Sequence, residues 1–403
     1  MKRDQRNYIK IIIIAFIRFF GDAFFYAFLA RYFSTLNFTS IQIGLLLGII
    51  PGMAVVGNII LSKVATNLRV NRIIFVTWIL VESTFIIFSG FITSFWWVLL
   101  FDCICCFCSN SFYNLFDTFI IYIANKVEKT YSSIRVFGTV AYIFSTFIGG
   151  FLISKIGYKY VFLIGGILMI IAALIFIFIK FDQSDFNLSE QEDKKEKTKL
   201  HLLFKNKSYI LYFISIIVIL GIHWSSDNIY NLYTSYLQID DATFGYFTSG
   251  SMIVEAVTLV IASRFRKFKS LKAMFILSAS CLVIRLSIFA IPNLNNYVYL
   301  SAQLLRGVTY GLLMSSNLYL LSNIVPHKYV NKCFFIAFAA DESFSALINL
   351  TSTTIISVTS YTFIFILLAI IAILPTILVT FIKPLDQEKG QSKLSSSLRQ
   401  TQN

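Results

Sequence analysis

Long apolar runs, separated by short polar connections, fill most of this chain. A helix needs about 20 apolar residues to cross the hydrocarbon core of a bilayer, and the chain contains about twelve runs of that length. They lie near residues 9–33, 41–61, 73–93, 96–123, 135–154, 160–180, 208–237, 244–262, 273–291, 297–324, 333–357 and 361–382. The pattern predicts an all-α integral membrane protein with about twelve transmembrane helices.

A long polar segment separates the sixth run from the seventh, with mixed charge and almost no apolar residues. This composition is typical of a flexible linker. We therefore expect four parts: an amino-terminal six-helix bundle (1–181), a cytoplasmic linker (182–207), a carboxy-terminal six-helix bundle (208–383) and a cytoplasmic tail (384–403).

Composition and charge agree with a membrane protein and indicate its orientation. Of the 403 residues, 57% are hydrophobic and 13% are charged, which excludes an ordinary soluble domain. Lys and Arg crowd the amino-terminal tail and the second, eighth and tenth connections, as expected for cytoplasmic loops. Both termini are thus predicted in the cytoplasm, and the net charge of +14 reflects loop bias rather than nucleic-acid binding. The first run has no signal-peptide cleavage site and is expected to remain as the first span.

We select twelve charged residues within the apolar runs as candidates. A charge at membrane depth is costly unless it faces a partner or a wet cavity, so each is a functional candidate. Because the acids outnumber the arginines, some acids must be hydrated or protonated near neutral pH, and a protonatable carboxyl can carry protons. The acids are Asp22, Glu82, Asp102, Asp117, Asp227, Glu255, Asp341 and Glu342, and the arginines are Arg18, Arg135, Arg285 and Arg306.

Several features recur about 200 residues apart, which is typical of a duplicated six-helix unit. The corresponding pairs are Asp22 and Asp227, Gly44 and Gly245, Glu82 and Arg285, and Asp102 and Arg306. Equivalent positions of a duplicated fold face each other across the central cavity. Where the charge is inverted, we expect the acid and the base to pair in one conformation and to separate in another.

The acid Asp117 and the base Arg135 flank one short connection between adjacent antiparallel spans, so they can approach each other. An ionised pair offers a polyhydroxyl ligand one acceptor and one bidentate donor. The alternative is a structural ion pair that joins two helices.

These two spans resemble the oligosaccharide/proton symporter branch of the major facilitator superfamily, typified by lactose permease. Asp117 precedes Arg135 by 18 residues, and Arg135 opens the sequence Arg-Val-Phe-Gly, similar to the family's fifth span. The resemblance implies that Asp117 and Arg135 hold sugar hydroxyls and that Tyr142, seven residues later, stacks on the sugar ring.

The second half resembles the same branch in part. Phe244 opens a Phe-Gly-Tyr sequence, and Arg285 occupies the place of an arginine that the family links to proton coupling. Arg306 stands where the family has a histidine. The superfamily's loop signature is degraded in residues 62–72, where its aspartate is missing.

This chain differs from the branch at two positions where the family has a functional glutamate, and in each case an acid lies elsewhere. The family's proton-carrying glutamate would fall near Thr309, where this chain has no acid, so Asp341 or Glu342 in the eleventh span is the expected replacement. Met252 takes the place of the family's sugar-binding glutamate, and Glu255 lies one helical turn away.

The remaining candidates are interpreted from helix geometry. Arg18 and Asp22 are one turn apart, so they either neutralise each other or take part in binding or coupling. Asp341 and Glu342 point about 100° apart, so at most one lines the pathway, and either can form a protonation-sensitive pair with Arg306. Asp102 lies near the outer end of its span, where an exposed position is expected.

Small residues and cysteines are assigned to packing. Gly44, Gly48 and Gly52 recur every four residues and predict a face for close helix packing. Cys103, Cys105, Cys106 and Cys108 scatter around one helix, which favours packing over a metal or redox cluster. The histidines lack metal-ligand spacing and no nucleotide-binding loop occurs, so no metal, cofactor or ATP is expected.

Together these features predict a secondary transporter of a bacterial plasma membrane and not an enzyme. We expect a monomer that moves a sugar, oligosaccharide or nucleoside by alternating access, driven by proton symport. Its expected partners are this solute, protons and membrane lipids. Substrate binding is assigned to Asp117, Arg135, Tyr142, Asp22 and Glu255, and proton coupling to Arg285, Arg306, Asp341, Glu342, Asp227 and Glu82. The alternatives are a drug/proton efflux antiporter and, with less support, a lipid-moving or enzymatic membrane protein.

Overall fold

A computed structural model describes residues 3–64, 68–179, 181, 206–265 and 267–384. The expected linker and the expected tail therefore lie outside the described residues, apart from residues 206, 207 and 384. Part of the degraded loop signature lies outside them as well.

Thirteen helices make up the regular structure of the described residues. They are α1 (Arg3–Tyr26), α2 (Leu29–Thr35), α3 (Ser40–Val64), α4 (Leu68–Ser89), α5 (Phe95–Lys126), α6 (Ser132–Ile177), α7 (Lys207–Tyr236), α8 (Asp241–Ala262), α9 (Phe268–Phe289), α10 (Asn296–Ala302), α11 (Leu304–Ser322), α12 (His327–Val358) and α13 (Tyr361–Thr380). The first predicted span is divided into α1 and α2, and the tenth into α10 and α11. Side-chain caps begin several helices: the Asn206 side chain accepts from the Ser208 amide, and the Asp240 side chain accepts from the Thr243 amide.

Helix α6 contains two membrane crossings because the chain reverses at Gly157. The backbone there has φ of 80°, in the left-handed region that favours glycine. Before the reversal, Ser133 bonds to Tyr8 near the start of α1. After it, Tyr158 packs on Tyr32 at the other end of the first span, and the chain then returns toward that start.

The count of twelve predicted crossings agrees with this architecture. Eight stretches are long and apolar enough to span a membrane, and one of them is the doubled α6. The crossings made by α5, α11 and α12 bring the total to twelve. Several of the candidate acids lie in α5 and α12.

Two ends of the molecule can be distinguished by their connections. The basic end holds the start of α1 and the connections α3–α4, α5–α6, α8–α9 and α11–α12. The far end holds the end of α2, the turn at Gly157 and the connections α4–α5, α7–α8, α9–α10 and α12–α13.

Each half of the chain has its own apolar core. One buried cluster contains side chains of α1 to α6, and a second contains mainly those of α7 to α13. The halves meet along two seams, α3 against α12 and α6 against α8. This arrangement places the facing sides of α1, α5, α7, α8 and α11 between the seams, where most of the candidate residues lie.

The halves approach most closely toward the far end. At the α6–α8 seam, a Cβ on Gly150 would lie 2.3 Å from the Asp241 carbonyl oxygen, so only glycine fits. At the α3–α12 seam, Gly44 and Gly48 face α12, whereas Gly52, nearer the basic end, meets no atom within 4 Å. The predicted glycine face is therefore correct for its first two members and wrong for Gly52. Among the described residues, the two halves are in close contact at the far end, so that end is closed. Toward the basic end, the α3–α12 seam is more open.

Candidate substrate and coupling site

A buried charge cluster lies in the amino-terminal half, and we call it the amino-terminal charge cluster. The Arg18 guanidinium contacts two carboxylates: Nη1 lies 2.5 Å from Oδ1 of Asp22, and Nη2 lies 2.7 Å from Oε2 of Glu82. The Tyr26 hydroxyl donates to the Glu82 carboxylate at 3.0 Å, and the Tyr113 hydroxyl donates to the Asp22 carboxylate. All three charged side chains have no exposed surface, so their charges interact in a dry interior.

This cluster confirms one sequence prediction and corrects another. Arg18 and Asp22 do pair along one helix face, as their one-turn spacing indicated. The expected pairing of Glu82 with Arg285 across the halves is not formed in this conformation. Glu82 bonds to Arg18 of its own half because α1 and α4 pack within one bundle.

A second cluster, the carboxy-terminal charge cluster, joins α7, α8, α9 and α11. Asp227 accepts from Arg285 Nη1 at 3.0 Å and from Arg306 Nε at 2.5 Å. Arg306 also donates through Nη1 to Glu255 at 3.1 Å, and Arg285 donates to the Ser226 hydroxyl. Arg285 is fully buried, whereas Asp227, Arg306 and Glu255 keep some exposed surface, so part of the cluster is accessible.

Two polar residues beside this cluster did not stand out in the sequence. The Gln303 amide donates to Asp227 at 3.4 Å, and the His223 ring lies 4.0 Å from the same carboxylate. His223 also stacks on Tyr310. The one-turn spacing between His223 and Asp227 was the available signal, and it resembles the spacing of Arg18 and Asp22 in the first span.

The structure brings the candidate pair Asp117 and Arg135 together. Arg135 Nε lies 3.9 Å from the Asp117 carboxylate, which also accepts from the Tyr131 hydroxyl at 2.8 Å. The two side chains are 38% and 33% exposed, which leaves donor and acceptor atoms available to a ligand. The Arg135 guanidinium lies 4.3 Å above the Phe19 ring, so an aromatic surface borders the pair.

Tyr142 lies between the charge clusters of the two halves. Its hydroxyl is within electrostatic reach of Asp22 in one half and of Arg306 and Glu255 in the other. An aromatic ring in this position can contact a ligand held between the halves. That Tyr142 stacks on a sugar ring stays a prediction.

Asp341 does not pair with Arg306, and that sequence expectation is wrong for this conformation. Asp341 is fully buried, and neither of its carboxylate oxygens has a hydrogen-bond partner among the described residues. Arg306 is already bound to Asp227 and Glu255. The adjacent Glu342 is only partly buried, so the two acids do point into different surroundings.

Asp102 also differs from its sequence interpretation. It is buried rather than exposed, and its carboxylate accepts from the Ser89 hydroxyl at 3.0 Å. The expected pairing of Asp102 with Arg306 across the halves is not formed either. The cysteines of the same helix, α5, are free thiols, and Cys105 and Cys108 are buried in helix contacts.

The sequence analysis missed an ion pair at the far end, which we call the far-end network. Arg31 Nε donates to the Asp241 carboxylate at 2.7 Å, and its Nη atoms donate to the Thr234 hydroxyl and the Ile239 carbonyl. The Tyr158 hydroxyl donates to the same Asp241 oxygen at 2.7 Å. Arg31 lies inside the first predicted span, so the criterion that selected Arg18 would also have found it. This network joins α2 of one half to the start of α8 of the other.

Comparisons with known proteins agree with this architecture. A sequence-family model described as the MFS_1 like family matches residues 8–340. The sequence has no significant match among curated proteins.

Solved transporters share the fold at low identity. A point mutant of the nucleoside transporter NupG superposes with a TM-score of 0.80 at 16% identity, covering 93% of this chain and 99% of that one. A bacterial homologue of the human lysosomal transporter Spinster gives 0.69 at 13% identity, covering 94% and 98%. A POT family transporter in complex with a thioalcohol-conjugated peptide gives 0.71 at 12% identity, covering 93% and 95%.

The matched residues include the amino-terminal charge cluster, the Asp117–Arg135 pair and the carboxy-terminal charge cluster, and they reach into both halves. Embedded charges between two helical bundles are typical of transporters that bind solutes near the bilayer midplane. This chain belongs to the MFS_1-like family and is a multi-pass membrane transporter of the major facilitator superfamily.

Proposed function

We propose that this protein moves a small polyhydroxyl solute, a sugar, oligosaccharide or nucleoside, across a bacterial plasma membrane by proton symport. The solute binds between the halves, with Asp117, Arg135 and Tyr142 on one side and Glu255 on the other. Asp22 acts behind this surface, through Tyr113.

The partly exposed Asp117–Arg135 pair carries this proposal. Its atoms lie 3.9 Å apart, with about a third of each side chain accessible. A carboxylate accepts from hydroxyl groups, and a guanidinium donates to two oxygens at once, so together they match the alternating donors and acceptors of a polyhydroxyl ligand. Phe19 and Tyr142 supply aromatic faces for an apolar side of a sugar or base.

Charge in the second half supports a polar ligand as well. Arg306 and Glu255 are paired at 3.1 Å and partly accessible. A broad apolar drug pocket would gain nothing from such pairs, because desolvating them without a polar ligand is unfavourable. This favours solute uptake over the efflux of apolar compounds. NupG, a nucleoside transporter, shares the fold, which keeps nucleosides within the proposed class.

Alternating access follows from rocking of the halves, residues 1–181 and 208–383, as two bodies. The described conformation is closed at the far end, which supports an inward-open state if the basic end is cytoplasmic. The positive-inside bias of the loops supports that orientation, with both termini in the cytoplasm. We propose that the working unit is a monomer, since each chain holds both halves of the site.

The test is substrate transport by variants of the candidate pair. Asp117→Asn removes the ionised acceptor and Arg135→Lys removes the bidentate donor, so each variant is expected to lose nearly all transport. Purified protein in proteoliposomes would be screened against sugars and nucleosides with an internal pH dye. Glu128→Gln, an exposed acid on the adjacent connection, is the matched control and should transport normally.

Normal uptake by folded Asp117→Asn or Arg135→Lys would remove the binding assignment. A whole-cell assay separates the direction of transport. A symporter raises the internal concentration of its solute above the external one, whereas an exporter lowers the accumulation of a dye.

A further inference from the structure

We propose that the amino-terminal charge cluster is a proton-binding site in which Asp22 and Glu82 share one proton above Arg18. We further propose that Tyr113 links this site to the Asp117–Arg135 pair. The link to solute binding rests on the proposed function, whereas the proton site itself does not depend on which solute is carried.

Charge balance is the first argument. The cluster contains two carboxyl groups and one guanidinium, and none of the three has exposed surface. With both acids ionised it would hold one uncompensated negative charge in a dry interior, which is strongly unfavourable. Adding one proton to either carboxylate leaves one neutral acid and one ion pair. The carboxy-terminal charge cluster differs, because its two arginines balance its two acids.

The geometry suits a shared proton. Arg18 reaches both carboxylates through different Nη atoms, so it can remain paired with whichever acid is ionised. Each carboxylate also accepts from a tyrosine: Tyr113 donates to Asp22, and Tyr26 donates to Glu82, which has a further hydrogen bond with Ser109. The Arg18 Nε atom is buried without an acceptor among the described residues, so no hydrogen bond at Nε fixes the guanidinium in this orientation. The proton then belongs to the pair rather than to one residue.

The only bond that forms and breaks in this step is the O–H bond of the protonated carboxyl. A proton from one side of the membrane adds to a carboxylate oxygen of Asp22 or Glu82, and it leaves from the same group to the other side. Arg18 keeps its own proton throughout, because a guanidinium does not lose it in proteins.

Tyr113 connects this site to the candidate pair. Its hydroxyl is bonded to Asp22, and its ring stacks on Phe19 with centroids 5.4 Å apart. The Arg135 guanidinium lies 4.3 Å above the Phe19 ring and 5.9 Å from the Tyr113 ring. A ligand that draws Arg135 away from these rings releases Tyr113 to move, and the hydrogen bond that favours ionised Asp22 weakens. Solute binding and proton binding then assist each other.

Other titratable groups face the cluster from the helices packed around it. They are Tyr26 on α1, Cys105, Cys106, Cys108 and Tyr113 on α5, and Tyr142 on α6. These are thiols and phenols, which stay neutral near pH 7. The carboxyl groups of the cluster are therefore the groups expected to titrate.

Infrared spectroscopy tests the proton site without any solute. Full-length protein in lipid vesicles, titrated from acid to alkaline pH, should show the carbonyl band of a buried protonated carboxyl. Asp341 is also buried without a hydrogen-bond partner among the described residues and can contribute a carbonyl band of its own, so each variant is compared with the unmodified protein. Either Glu82→Gln or Asp22→Asn alone should remove one component of the carbonyl absorption, because the remaining acid then pairs one-to-one with Arg18. Asp102→Asn, which removes a buried acid outside the cluster, should leave that component in place. If neither single variant removes a component, the proposal is overturned.

Transport assays test the link. Glu82→Gln should lose accumulation driven by a pH gradient, while solute exchange, which needs no net proton movement, persists. Tyr113→Phe should keep the infrared band but lose solute-induced proton uptake. Tyr32→Phe removes a buried hydroxyl bonded to the Ser89 carbonyl at the far end and serves as the matched control. Full accumulation by Glu82→Gln, or full proton uptake by Tyr113→Phe, would contradict the link.

The two proposals fail separately. If no sugar or nucleoside is carried by the unmodified protein, the proposed function is wrong, and the infrared result still decides whether Asp22 and Glu82 hold a proton. If transport occurs and the band belongs to another acid, such as Asp341, the proton site is wrong and the solute assignment stands.

Discussion

The buried charges of the two halves are combined in opposite proportions. In the first half one arginine, Arg18, contacts two acids, whereas in the second half one acid, Asp227, contacts two arginines, Arg285 and Arg306. Removing one charge from such a cluster destabilises the folded protein, because its former partner is left buried with no water to replace the lost contact. Asp227 and Arg285 illustrate this, since the arginine is fully buried and its one carboxylate contact is Asp227 among the described residues.

We expect Asp227→Asn to lower the stability of the folded protein by about 3 kcal/mol, because Arg285 would remain buried without a carboxylate. Thermal unfolding of the purified protein in detergent measures this as a lower midpoint. The double variant Asp227→Asn with Arg285→Met removes both charges and should recover part of the loss. A double variant no more stable than Asp227→Asn would contradict the explanation.

Helix α3 packs closely against α12 along only part of its length. Its face toward α12 is smooth where Gly44 and Gly48 lie, and the backbones approach closely there. Toward the basic end the same face is open at Gly52. Small residues allow helices to pack tightly and to separate with little disturbance of other side chains. The α6–α8 seam repeats this arrangement with Gly150 and Gly245.

Gly44→Ala and Gly52→Ala form a matched pair on this helix. A Cβ at position 44 would lie 1.9 Å from the Thr353 hydroxyl oxygen, so Thr353 must shift or the helices must separate, at a cost of about 1–3 kcal/mol for an overpacked contact. Position 52 has free space and should tolerate the methyl group. A cysteine introduced in the central site should therefore be labelled to a greater extent in Gly44→Ala when the thiol reagent is added from the far-end side of the membrane. Equal labelling of both variants would contradict this prediction.

At the scale of the whole molecule, the far-end network holds the two halves together. Arg31 makes three hydrogen bonds to the opposite half, and its guanidinium lies 4.6 Å above the Phe244 ring. A buried charge pair of this kind stabilises one conformation, because opening the far end separates its members. The free energy of the pair is thus part of the equilibrium between the two states.

We expect Asp241→Asn to shift this equilibrium toward a far-end-open state by about tenfold or more, since loss of one member of a buried pair costs about 2 kcal/mol or more. Distances between spin labels on the exposed residues Thr93 and Pro292 would report the change. Asp240→Asn is the control, because asparagine caps a helix as well as aspartate does. An unchanged distance distribution in Asp241→Asn would show that the network does not hold the far end closed.

The sequence by itself determined the number of crossings, the expected orientation and which residues are charged at membrane depth, because the length and polarity of each run are local properties. Tertiary structure alone decided which charges meet. Arg18 and Glu82 are 64 residues apart, and Arg31 bonds to Asp241 at a separation of 210. Such contacts depend on the rotation and packing of whole helices, which hydropathy does not record. For the same reason, Glu82, Asp102, Arg306 and Asp341 have partners or surroundings that differ from those expected.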